Sequence, residues 1–288
     1  MDYKILSLKD IKKIIDEYEF EKYPHLNKFK KNPYTFLKAK YYTYCSVILI
    51  YALLKTRISP NIVTIAYGLC GFIGAIFLSI PNSLCNIIGV LIFFNKGILD
   101  WSDGKLARIK YKPSLTGHIL DVYGATLNSV GLIIGLGFFV INQTGYDFLV
   151  YLIVVVTFFH SEVYTSAGKK IILENLNSIL NQNKTSEKVI VEDIKKEKYI
   201  NKIQIKYPKW LQKFKIILDD NAKSVDLILL FILIDVYSNY NFSFYIFLLV
   251  SLKILIRFFL SLIYGIRSKW AENFVNDLKV KNNLKKND

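Results

Sequence analysis

Between residues 97 and 125 the chain reads GILDWSDGKLARIKYKPSLTGHILDVYGA, and the side chains able to do chemistry gather there. Asp100 and Asp103 are three residues apart, so on a helix their carboxylates share a face. Gly104 and Ala107 continue that face with almost no side chain, which leaves room for a flat or bulky group against the backbone. Arg108 closes the run with a planar fork suited to phosphate oxygens. A short turn containing Pro113 then reverses the chain. Gly117 and Asp121, four residues apart, follow on an antiparallel helix and can face the first pair. Three convergent carboxylates suit a hard divalent cation, Mg2+ or Mn2+, which takes oxygen ligands and keeps several waters. The plainer alternative pairs Asp100 and Asp103 with Lys96 and Lys105 and leaves them capping helix ends. Acids inside membrane segments are expensive and usually functional, and three of them spaced with Gly, Ala and Arg favour the cation site.

The elements that must position these residues read as membrane spans. Of 288 residues, 52% are hydrophobic and 21% charged, with a formal net charge of +15 and a mean hydropathy of +0.29. The apolar residues come in blocks with lysines gathered between them. This excludes collagen-like, coiled-coil and disordered chains and argues against one compact soluble domain. A membrane helix needs about 20 mostly apolar residues. The stretches 60–80, 84–99, 118–141, 147–167, 225–237 and 243–266 supply six spans, while 41–54 is short and reads as interfacial or packed under the bundle. The fold class is therefore all-α, a polytopic membrane helical bundle.

The charge map gives that bundle a topology. The three outer turns, Pro81–Ser83, Asn142–Tyr146 and Ser238–Phe242, hold no Lys or Arg. Only Lys96, Lys253 and Arg257 fall deep inside a span, and every other basic residue lies on the opposite side. This is the positive-inside pattern, with both termini cytoplasmic and an even number of spans. Basic charge of this kind meets anionic lipid headgroups and argues against nucleic acid as a partner.

The domain organisation follows. Residues 1–40 form an N-terminal cytoplasmic or interfacial helical segment, in which Ser7 and Asp10 have capping-box spacing. Residues 41–266 form the membrane-embedded domain with a cytoplasmic loop at 168–222, and 267–288 form a basic cytoplasmic tail. Cys45, Cys70 and Cys85 are odd in number and sit in or beside apolar stretches, so neither a disulfide framework nor a zinc site is expected. Gly68, Gly71, Gly74, Gly131 and Gly135 read as places of close helix packing. Asp226 and Asp219–Asp220 read as caps of the fifth span. Lys253 and Arg257 read either as an anion site or as a snorkelling Arg257 with Lys253 paired to an acid such as Glu162.

The segment around Asp100 resembles the signature of the CDP-alcohol phosphotransferase family, D-x-x-D-G-x-x-A-R followed by G-x-x-x-D-x-x-x-D. Asp100, Asp103, Gly104, Ala107, Arg108, Gly117 and Asp121 all fall on it, and Ile58–Thr64 (ISPNIVT) is similar to the family's T-P-N-x-x-T opening of the first span. The resemblance implies six spans with an interfacial helix before the first, two metal ions at the carboxylates and a homodimer. It also implies transfer of a phosphoalcohol group from a CDP-alcohol to an acceptor hydroxyl with release of CMP, as in phospholipid biosynthesis. On it, Asp100, Asp103 and Asp121 are metal ligands, Asp121 is also catalytic, and Asn61, Thr64, Asp103, Gly104, Ala107, Arg108 and Gly117 bind substrate. One position departs. The family's fourth Asp falls at Ala125, which can neither hold metal nor take the acceptor's proton. Three explanations stand open. His118, seven residues earlier on nearly the same helical face, is a candidate replacement base. The metal can instead lower the acceptor's pKa. Alternatively, the chain is a catalytically silent relative that binds a nucleotide or a partner.

Overall fold

The structure, a computed structural model, describes residues 6–22, 33–110, 114–161, 221–238 and 240–268. Among them are eight helices: α1 (Leu8–Lys22), α2 (Pro33–Leu54), α3 (Pro60–Ser79), α4 (Ser83–Ile109), α5 (Leu115–Thr144), α6 (Leu149–Ser161), α7 (Asn221–Tyr237) and α8 (Phe242–Ser268). No strand occurs among the described residues. Four helices are long and apolar enough to cross a membrane, over Pro60–Ser79, Ser83–Ile109, Thr116–Thr144 and Phe242–Leu260. α6 and α7 are shorter as described, and the end of the fourth expected span, 162–167, lies outside the described residues. So do most of the loop 168–222, most of the basic tail, and Glu162, Asp219 and Asp220.

Local chemistry sets the helix ends. In the expected capping box, the Ser7 N–H and hydroxyl both donate to an Asp10 carboxylate oxygen, at 3.0 and 2.6 Å, and the Asp10 N–H returns a bond to the Ser7 hydroxyl. Those two donors hold the Asp10 carboxyl below its ordinary value. Pro60 occupies the first turn of α3, where its missing N–H costs nothing. The Asn82 side chain accepts from the N–H groups of Leu84 and Cys85 and starts α4. Ser114 does the same for α5 through the Gly117 N–H, and Gly145, at φ 72°, ends that helix in the left-handed conformation. Asp235 reaches across the last turn to accept from the N–H groups of Phe242 and Ser243, starting α8.

α3 is the central helix. It packs along both α4 and α5, which hardly touch each other. Asn61 and Thr64 at the start of α3 lie near Gly117 and Asp103, whereas Ser79 at its end accepts from Asn142 of α5. α4 and α5 are therefore antiparallel to each other, with α3 as the floor between them. Two apolar clusters bracket that region. One, at the Asp103 end, joins Ile11 and Ile15 of α1 to Val47, Ile50, Leu106 and Ile109. The other, toward the opposite end, joins Leu78, Phe93, Leu136, Val140, Ile232 and Phe247. The outward face of α3 carries Ile62, Ile65, Leu69, Phe72 and Ile76, all about half exposed, as hydrocarbon surroundings would favour.

The segment boundary at residue 40 falls inside α2, which starts at Pro33 and packs on α4 with the Tyr42 ring in the notch left by Gly97. Asp226 does not cap α7. The helix begins five residues before it, too far for its carboxylate to reach the free N–H groups, and the side chain instead takes Lys38 and the Tyr34 hydroxyl from α2.

Candidate active site

Asp100 and Asp103 stand on α4 within one unbroken 27-residue helix, so span and motif share a single rod. Asp103 is buried, 8% exposed, and the hydroxyl of Thr64, itself 4% exposed, donates to its Oδ2 at 2.7 Å. The Gly104 N–H donates to its other oxygen. This contact explains why a Thr is needed at the cleft end of α3: a hydroxyl is the smallest group that can satisfy a buried carboxylate from a neighbouring helix.

Asp121 on α5 faces this pair across the cleft. Asp100 lies within electrostatic range of both Asp121 and Asp103, and Asp103 within range of Asp121 and Arg108. The three carboxylates on these two helices therefore lie within electrostatic range of one another. Asn61 reaches toward α5, where a Cβ on Gly117 would stand 3.1 Å from its Oδ1. The guanidinium of Arg108 folds back over Gly104, 3.4 Å from where a Cβ would be. Ala107 is half-buried one turn after Asp103. His118 is exposed at the start of α5, within electrostatic range of Asp121 but about two turns from Ala125.

Sequence reasoning missed Tyr67. Its hydroxyl side bonds to Asp100, its ring lies against Gly124, and the Lys96 ammonium stands 5.6 Å from the ring centroid. The signal was available, because Tyr67 is three residues beyond Thr64 on the same face of α3. Asn128 is completely buried and donates to the carbonyls of Tyr67 and Gly124, at 2.8 and 2.9 Å, so it fastens α5 to α3 below the cleft. Lys110 adds a second fastening by donating to the Ile58 carbonyl at 2.8 Å.

Among the described residues, no three Asp, Glu, His or Cys side chains are placed closely enough to close a metal ligand set. The donor chemistry still fits a hard cation. Three carboxylates within electrostatic range repel one another, and added positive charge relieves that repulsion. Asp100, Asp103 and Asp121 are the residues that could hold it.

Fold and site together define an all-helical protein with membrane-length helices and an acidic cleft between two of them. The family model for CDP-alcohol phosphatidyltransferase matches residues 57–203, just over half of the chain, a stretch that holds every cleft residue named above. The chain belongs to the CDP-alcohol phosphatidyltransferase family, a family of transferases. The resemblance to this family is thereby borne out. No curated protein and no solved structure matches the chain.

Proposed function

We propose that this chain moves a phosphoalcohol group from a CDP-alcohol to an acceptor hydroxyl and releases CMP, in the making of phospholipids or related polar lipids. The observation that supports this most directly is that Asp100, Asp103 and Asp121 lie within electrostatic range of one another, with Thr64 of α3 donating to Asp103. The acceptor oxygen attacks the phosphorus that carries the alcohol, the bond from that phosphorus to the CMP oxygen breaks, and the acceptor's proton passes to a base. Mg2+ or Mn2+ held by the three carboxylates would neutralise the diphosphate and stabilise the departing CMP.

The chain's own residues do the rest. Arg108 donates to the phosphates or the cytidine from its position over Gly104. Gly104, Ala107 and Gly117 let the nucleotide approach the backbone, and Asn61 completes the pocket from α3. Thr64 orients Asp103. His118, exposed beside Asp121 at the cleft mouth, accepts the proton that the family's fourth carboxylate would take. In the membrane the cleft opens to the cytoplasm with both termini, and two copies pair as a homodimer.

Ala125 supports a second reading, a silent relative that binds nucleotide without turning it over. CMP release by the purified protein in detergent, with Mg2+ or Mn2+ and a panel of CDP-alcohols and acceptors, separates the two. The transferase reading expects CMP formation that falls by about 100-fold or more in Asp121→Ala. CDP binding without CMP from any pair would favour the silent reading. His118→Ala with unchanged turnover would dismiss the histidine as base.

A further inference from the structure

The cleft has one feature that the family signature does not describe. Lys96 lies one helical turn before Asp100 on α4, and Ala125 lies one turn after Asp121 on α5. Because α4 and α5 are antiparallel and Asp100 faces Asp121, four residues along each helix descend by the same 6 Å or so to the same depth. The lysine therefore stands at the level where the family pattern would have its fourth carboxylate. Tyr67 confirms the proximity, since its ring touches the Gly124 position, its hydroxyl bonds to Asp100 and its face lies under the Lys96 ammonium. Lys96 is also within electrostatic range of Asp100 itself.

Charge bookkeeping turns this juxtaposition into a statement about metal. Lys96 and Asp100 are half-buried and Asp103 is buried, and uncompensated charge at such a depth in a membrane bundle is penalised. Four carboxylates balance two divalent cations. Here Ala125 removes one carboxylate and Lys96 adds one ammonium at a position the signature leaves unspecified; Arg108 belongs to both patterns and cancels, so the net change of two positive charges equals one divalent cation fewer. We propose that Lys96 is a built-in counter-cation at the depth of Ala125, and that the site binds one divalent ion per chain where the family pattern implies two. The inference rests on the metal reading of the three aspartates given above. Either difference alone would alter the cleft by a single charge, which no whole divalent ion can match.

Titration of the purified full chain in detergent with Mn2+ alone, following free ion by electron paramagnetic resonance, reads the stoichiometry without any turnover. One Mn2+ per chain is expected for the wild type. Lys96→Met should still bind one ion, at least about tenfold more tightly, because a like charge has left the site. Lys96→Arg should bind as the wild type does, which separates charge from shape. The Lys96→Met/Ala125→Asp double variant should bind two ions. Two ions on the wild type, or unchanged affinity in Lys96→Met of native helicity, would overturn the counter-cation role. No Mn2+ on any variant would instead overturn the metal reading on which it rests.

Discussion

Toward α5, helix α3 presents Gly68 and Gly71 and the two backbones meet; toward the space between α4 and α5 it presents Asn61, Thr64 and Tyr67 and the walls stand apart. A Cβ on Gly131 would land 2.3 Å from the Gly71 carbonyl oxygen, and one on Gly71 would land 2.5 Å from the Asn128 Cα. On the cleft side, by contrast, Gly104 meets nothing closer than the far end of Arg108. Both regions use small residues, for opposite purposes. In the seam they let helices close without hydrophobic force from water, which hydrocarbon surroundings cannot supply. In the cleft they keep helices and side chains from filling a space that a substrate needs. Rigidity on one side of α3 is what allows the other side to hold three like charges at fixed positions.

Substitution in the seam should have the largest effect on stability. Gly131→Ala puts a methyl group against backbone that cannot rotate away, so α3 and α5 must separate along their length. A loss of about 3 kcal/mol is expected, the upper part of the usual overpacking range, read by reversible denaturant unfolding in micelles. A change within about 0.5 kcal/mol would mean that the seam is looser than its backbone contacts imply and would remove one side of the comparison.

Thr64 belongs to the cleft yet is packed as tightly as the seam. Thr64→Val keeps its volume and deletes the hydroxyl that donates to buried Asp103. Because the Gly104 N–H still holds the other oxygen, the expected loss is near the low end for a bond to a charged group, about 1.5 kcal/mol. Thr64→Ser should restore most of it. A double-mutant cycle with Asp103→Asn assigns the effect to this pair if the two losses fail to add. Full additivity would show that Thr64 acts through packing alone.

The two sides of α3 were unequally legible in the sequence. The cleft was readable because its acids are rare in apolar stretches and their helical spacing is fixed by the motif, which puts Asp100 and Asp103 on one helix face and Asp121 on the next helix. The seam was foreseen only as a set of glycines, because spacing says that Gly71 and Gly131 permit contact but not which helix each one meets. Tyr67 went unassigned for a related reason: a Tyr in an apolar run looks like core, and its bond to Asp100 exists only once α3 lies under α4. Asp226 was misassigned because a carboxylate near a helix start suggests a cap, and only the fold shows that Lys38 and Tyr34 reach it first.

Gly104→Ala is the sharpest test of the contrast, because it makes the same chemical change as Gly131→Ala on the other side of α3. Its methyl group would stand 3.4 Å from Arg108 Nη1, an ordinary contact with a flexible side chain. Nothing in the packing opposes it, and the better helix propensity of Ala favours it by up to about 1 kcal/mol. Stability should therefore hold or rise. Turnover should move the other way, falling roughly tenfold in the CMP-release assay, since the methyl group crowds the backbone that the nucleotide approaches. Equal destabilisation by the two glycine substitutions would mean that Gly104 is a packing residue like Gly131, and that the cleft is no more open than the seam.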